Sequence, residues 1–132
     1  PALDVTPVSG RPLSGAEPMQ VLEFATGHEP ITLCQSHGAH ALPLADGRGE
    51  GHVYSIRLAP GGIIGPHEAT FGQLFLVVAG SGWVSGADGV ARTLGAGQAA
   101  FIGRGEVHAK GSDTGMTAIM VQLAELTPSP RG

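Results

Sequence analysis

The spacing of glycine and proline limits what this chain can fold into more than any other feature. Of its 132 residues, 22 are glycine and 10 are proline, and they fall between short apolar runs instead of pooling in one tract. Residues of this kind at such intervals interrupt any helix of three turns, whereas they suit the tight turns that join short strands. The runs between them alternate in polarity. From His52 to Leu58, one side takes His52, Tyr54, Ile56 and Leu58, and the other takes Val53, Ser55 and Arg57. Residues 19–25, 31–36, 39–44, 73–79, 83–85, 90–94, 98–102, 106–109 and 116–123 are predicted strands on the same reasoning. The stretch 73–79 is apolar on both faces, as in a strand covered on each side. Turns are predicted at 45–51, 60–62, 80–82, 87–89, 95–97, 103–105 and 111–115. Short strands with turn signals at about 8–12-residue intervals specify an all-β sandwich or barrel.

A chain of this length makes one domain with a real core. Hydrophobic residues reach 42% and charged residues only 14%, which leaves a low-charge surface suited to an oligomer interface. The net charge of −4 and the scattering of seven Lys and Arg from Arg11 to Arg131 argue against nucleic acid as a partner. The longest strictly apolar run, 74–79, is far short of the roughly 20 residues a membrane helix needs. No basic segment followed by an apolar core marks a secretory signal. Cys34, the only cysteine, cannot form an internal disulfide, so a cytoplasmic location is expected, with Cys34 as a small half-buried packing residue. Residues 1–50 read as an N-terminal arm with accessory strands, 51–124 as the barrel core and 125–132 as a flexible tail.

Two histidines stand at corresponding places. His67 follows the turn Pro60-Gly61-Gly62 and precedes the apolar run led by Gln73, while His108 follows Gly103-Arg104-Gly105. Period-two geometry puts His67, Ala69, Gln73, Phe75 and Val77 on one parity. This pattern resembles the cupins, small double-stranded β-helix (jelly-roll) barrels. Their first motif runs from a glycine through His-x-His, a glutamate four residues on, and a closing glycine. Here Gly61-Gly62 leads to His67, Ala69 stands in the second histidine's place, Gln73 in the glutamate's, and Gly80 closes. The second motif is matched by Gly97, Gly103-Arg104-Gly105 and His108, with glycine replacing the usual proline. The resemblance spans roughly residues 51–123.

The resemblance implies an inward-facing site around His67, Gln73 and His108, walled by side chains such as Tyr54, Phe75, Phe101 and Met120, and it implies a homodimer. A mostly apolar pocket with a few convergent polar groups is the usual form of a small-molecule site. A complete cupin set of three histidines and a carboxylate holds Fe, Mn, Ni, Cu or Zn. With Ala69 and Gln73 in two ligand positions, His67 and His108 are an incomplete metal set, and a divalent ion is less favoured than a metal-free pocket. In such a pocket His67 or His108 serves as proton donor or acceptor, with Gln73 orienting a small organic ligand. The alternative is a non-catalytic module that binds or senses the same ligand. His37 and His40 read as surface residues, and Gly80-Ser81-Gly82 lacks the pentapeptide of a nucleophile elbow. Trp83 reads as a rim residue and Glu106 as a solvated turn residue.

Overall fold

Alternating polarity and glycine punctuation produce a structure that is all strand among the described residues. A computed structural model describes residues 6–7 and 18–130. The strands are β1 (Thr6–Pro7), β2 (Gln20–Glu23), β3 (Glu29–Pro30), β4 (His40–Ala41), β5 (Ala45–Leu58), β6 (Ile63–Glu68), β7 (Gly72–Ser85), β8 (Ala91–Gly95), β9 (Gln98–Ile102), β10 (Val107–Gly111) and β11 (Met116–Pro128). Among these residues no helix is long and apolar enough to cross a membrane. The arm predicted for 1–50 lies outside the described residues at 1–5 and 8–17.

The strands form two walls that share β7. Its first half pairs antiparallel with β9 and β11, and β11 pairs along its length with β5. Its second half pairs with β8 and β10, and β10 continues to β6 and β1. The enclosed core draws from both walls: Phe75, Val77, Ala100, Ile102, Ala118 and Met120 from the first, Ala69, Val84 and Leu94 from the second. A smaller cluster of Leu22, Leu74 and Phe101 packs separately, with Leu44, Leu76, Val121 and Leu126 around it.

Several predicted boundaries move, for reasons visible in the packing. Gly80-Ser81-Gly82 is not a chain reversal. The strand runs straight through it, and Gly80, at φ 78°, marks where β7 leaves one wall for the other. The glycines of 45–51 likewise lie within β5 instead of a turn. They are small because β11 lies against them: a Cβ on Gly51 would come within 2.6 Å of Leu123 Cδ2, and one on Gly49 within 2.8 Å of Ala124 Cβ. Glycine in a strand interior marks such close approach as readily as a turn. For the same reason the tail predicted from residue 125 is strand to Pro128, with Thr127 opposite Asp46 and Pro128 opposite Ala45. The opposite error occurs at 31–36, which is no strand: Cys34 and Gln35 take φ 59° and 56°. Cys34 is exposed there, not half-buried. A thiol reagent is therefore expected to label Cys34 in the native protein as fast as in urea, and a rate slowed a hundredfold by folding would contradict this.

Candidate functional site

His67 and His108 arrive from neighbouring strands and meet inside the barrel. They are direct partners in the β6–β10 register, and both are buried. Their ring centroids lie 4.3 Å apart with planes tilted by 54°. The register slips between His108 and Lys110, so that Gly65 and Pro66 on β6 oppose Ala109 alone. Such a bulge lets both Ile64 and His67 turn inward, and proline fits there because a bulge leaves its position out of the ladder. The bulge also supplies a partner. His67 donates from Nδ1 to the Gly65 carbonyl at 2.7 Å, which fixes the tautomer and leaves the lone pair on Nε2. That atom is buried and has no hydrogen-bond partner among the described residues.

Lys110, which sequence reasoning passed over, completes the cluster. Its Nζ lies 2.9 Å from Nδ1 of His108 and 5.0 Å from the centroid of the Phe75 ring. The residue is 1% exposed. Its position two residues beyond His108 on one strand was the available signal, since residues i and i+2 share a face.

The other predicted wall residues separate by parity. Gln73 and Phe75 are fully buried on β7, facing Gln122 and Met120 of β11, and Tyr54 of β5 lies opposite Met120, half-buried. Both amide atoms of the buried Gln122 lack hydrogen-bond partners among the described residues. Phe101 does not line this interior. Ala100 and Ile102 belong to the enclosed core, so Phe101 between them faces the other way and packs on Leu22 and Leu74. His52 of β5 is held at 2.7 Å by Glu50 and lies edge-on to Phe71.

These residues do not fit a divalent cation of the kind the resemblance implies. Ala69 and Gln73 offer neither imidazole nor carboxylate. Among the described residues no three His, Cys, Asp or Glu side chains converge on one point. Lys110 Nζ lies against Nδ1 of His108 at 2.9 Å, which takes that ring nitrogen out of reach of a metal ion.

Glu106 is not the solvated turn residue its sequence context suggests. Only 2% exposed, it accepts from the backbone N–H of Met19 at 2.9 Å and of Ala87 at 3.1 Å, tying the residues before β2 to the β7–β8 turn. Burial raises its carboxyl above the ordinary value of 4.5, against the pull of those two N–H groups. A raised native pKa means the folded chain holds this proton more tightly than the unfolded one. The contribution is then full below 4.5 and is lost as pH rises through the native value. Thermal melts of Glu106→Gln and the parent should therefore diverge in favour of the amide as pH rises above 4.5. Divergence in favour of the parent would show that the native site prefers the carboxylate.

A cavity of about 480 Å³ lies elsewhere, lined by Ser81, Gly82, Trp83, Thr93, Leu94 and Gly95 among others. Trp83 is half-buried there, its ring lying over Gly111 of β10.

No family model matches the chain and no curated protein matches it significantly. Solved structures do. A cupin 2 domain-containing protein from Halorhodospira halophila is 14% identical, over 88% of this chain and 83% of that one, with a TM-score of 0.59. An RmlC-like cupin from Shewanella frigidimarina is 27% identical, over 55% of this chain and 65% of that one, with a TM-score of 0.52. A conserved protein with a double-stranded β-helix domain from Klebsiella pneumoniae is 20% identical, over 73% of this chain and 89% of that one, also at 0.52. These likenesses agree with the shared strand β7 and the two walls, and they show that the chain has the double-stranded β-helix fold of the cupins.

Proposed function

We propose that this chain binds a small organic molecule inside the barrel and that His67 and His108 act on it as proton acceptor and donor. One observation carries the reading: His67 Nε2, its tautomer set by Gly65, holds a lone pair in the buried interior with no partner among the described residues. A buried polar atom left unmet costs roughly 1–3 kcal/mol. A ligand that meets it recovers that cost. The neighbouring His108 ring lies close enough for a proton lost to one imidazole to be returned by the other.

Titration with small aldehydes, amides and organic acids, followed by the imidazole NMR signals, tests this. Shifts at both histidines, lost in the other ring's signal when His67→Ala weakens binding at least about tenfold, are the expected result. Trp83, the only tryptophan, gives a control. Ligands that change its fluorescence while leaving both imidazoles unmoved would place binding in the outer cavity and overturn the reading.

The donor set also predicts the response to metal. A cation bound to the native state at 100 times its Kd would stabilise it by about 2.7 kcal/mol. Zinc at such a concentration for a micromolar site should leave the Tm unchanged. A rise that His67→Ala abolishes would restore the histidine pair as a metal centre.

A further inference from the structure

Lys110 is the only lysine in the chain, and the barrel encloses it. Lysine is among the residues least often fully buried, because its charge is costly to remove from water. A chain that carries six arginines, and this one lysine, places it beside an imidazole and over an aromatic ring. Arginine could hold a charge in that position, but it could not act as a nucleophile. A desolvated amine in contact with a base is the arrangement in which lysine attacks carbonyl carbon.

We propose that Lys110 forms an imine with a small hydroxylated aldehyde or ketone bound in the barrel, with His108 moving the protons. The inference rests on the interior being a ligand site, as proposed above. In the step, the Nζ lone pair attacks the carbonyl carbon and the C=O π electrons go to oxygen. A proton passes from Nζ to His108 Nδ1, 2.9 Å away. The imidazolium returns that proton to the alkoxide, giving the carbinolamine, and the remaining Nζ proton then follows the same route to the hydroxyl, which leaves as water while the lone pair freed on nitrogen closes the C=N bond. Amine plus carbonyl gives imine plus water, and no oxidant or reductant is used.

The ligand class follows from what the interior leaves unmet. His67 Nε2 and Gln122 Oε1 are acceptors and Gln122 Nε2 is a donor, all buried without partners among the described residues. Gln122 sits across from Gln73, two residues along β7 from the Phe75 ring that carries Lys110. A hydroxyl group both donates and accepts, so it suits this mixture. A carboxylate only accepts and would face the lone pair of His67. The close packing of Phe75, and of Val84 opposite Lys110, restricts the ligand to a few carbons. Imine formation also acidifies the adjoining C–H, which gives the base at His67 a proton to take.

The test is reductive trapping of the native protein with glycolaldehyde and cyanoborohydride, mapped by mass spectrometry. The expected result is one adduct in the peptide containing Lys110, formed at least about tenfold faster than with acetaldehyde, which lacks the hydroxyl. Lys110→Arg should abolish it, and His108→Gln, checked for fold by circular dichroism, should slow it by about 100-fold. An adduct confined to the α-amino group would overturn the proposal, as would equal rates in His108→Gln and the parent. If glycolaldehyde shifts the imidazole signals of Lys110→Arg and the parent alike yet leaves Lys110 unmodified, the imine fails and the ligand site stands. If it produces neither shift nor adduct, both fail for this ligand class.

Discussion

Gly80→Ala is expected to destabilise the protein by roughly 2–5 kcal/mol, the sum of a left-handed backbone imposed on an L-residue and a contact that cannot be relieved. Gly80 takes φ 78°, and its added Cβ would run into the Gly115 carbonyl and lie 3.0 Å from Met116 Cα. Both obstacles are backbone, so no side chain can rotate away. Gly89 separates the two causes. Its φ is 72°, yet a Cβ there meets nothing within 4 Å. Gly89→Ala should therefore cost only the conformational share, about 1–2 kcal/mol. Urea melts of the two variants decide the matter. If Gly80→Ala loses no more than Gly89→Ala, the passage of β7 between walls does not depend on the approach of Gly115.

Phe75→Ala carries the second large effect, about 3–5 kcal/mol, as for other aromatic truncations in closed cores. Phe75 has no exposed surface and is flanked in register by Ala100 of β9 and Met120 of β11. Alanine on one side and a flexible thioether on the other leave little that can collapse into the space. Phe75→Leu keeps most of the volume and should cost much less. It nevertheless removes the ring face beside Lys110 Nζ, a contact worth about 0.5–2 kcal/mol. Val53→Ala, on the outward side of β5 at 69% exposure, supplies the baseline. A Phe75→Ala loss no larger than that of Val53→Ala would mean the barrel interior contributes little to stability.

The periodic parts of this fold were legible in the sequence because parity is a local property. Tyr54, Ile56 and Leu58 alternate with outward residues as the pattern requires, whereas the His67–His108 encounter was implied by the resemblance to cupins and not by parity. Glycine itself was the ambiguous letter. At 87–89 it made the turn it signalled, but at Gly49, Gly51 and Gly80 it permits a neighbouring strand to come close, which depends on residues 35 or more positions away. Phe101 was misplaced for want of its own parity: with Ala100 and Ile102 facing in, it had to face out. Lys110 and Glu106 were missed because charged residues default to the surface. Only the tertiary structure shows one beside a histidine and the other gathering two backbone N–H groups.

The sharing of β7 has a kinetic consequence. Its two halves hydrogen-bond to strands that come later in the chain, β8 and β10 on one side and β9 and β11 on the other. Neither wall can be finished while β7 is unplaced, and β11 must return from the far end of the described chain to lie between β7 and β5. Pairings this distant in sequence close large loops before they yield contacts, which makes folding slow, in the range of milliseconds to seconds. The same arrangement denies the barrel a partial opening that frees one wall alone. Amide protons on the two halves of β7 should exchange with the same free energy, that of global unfolding.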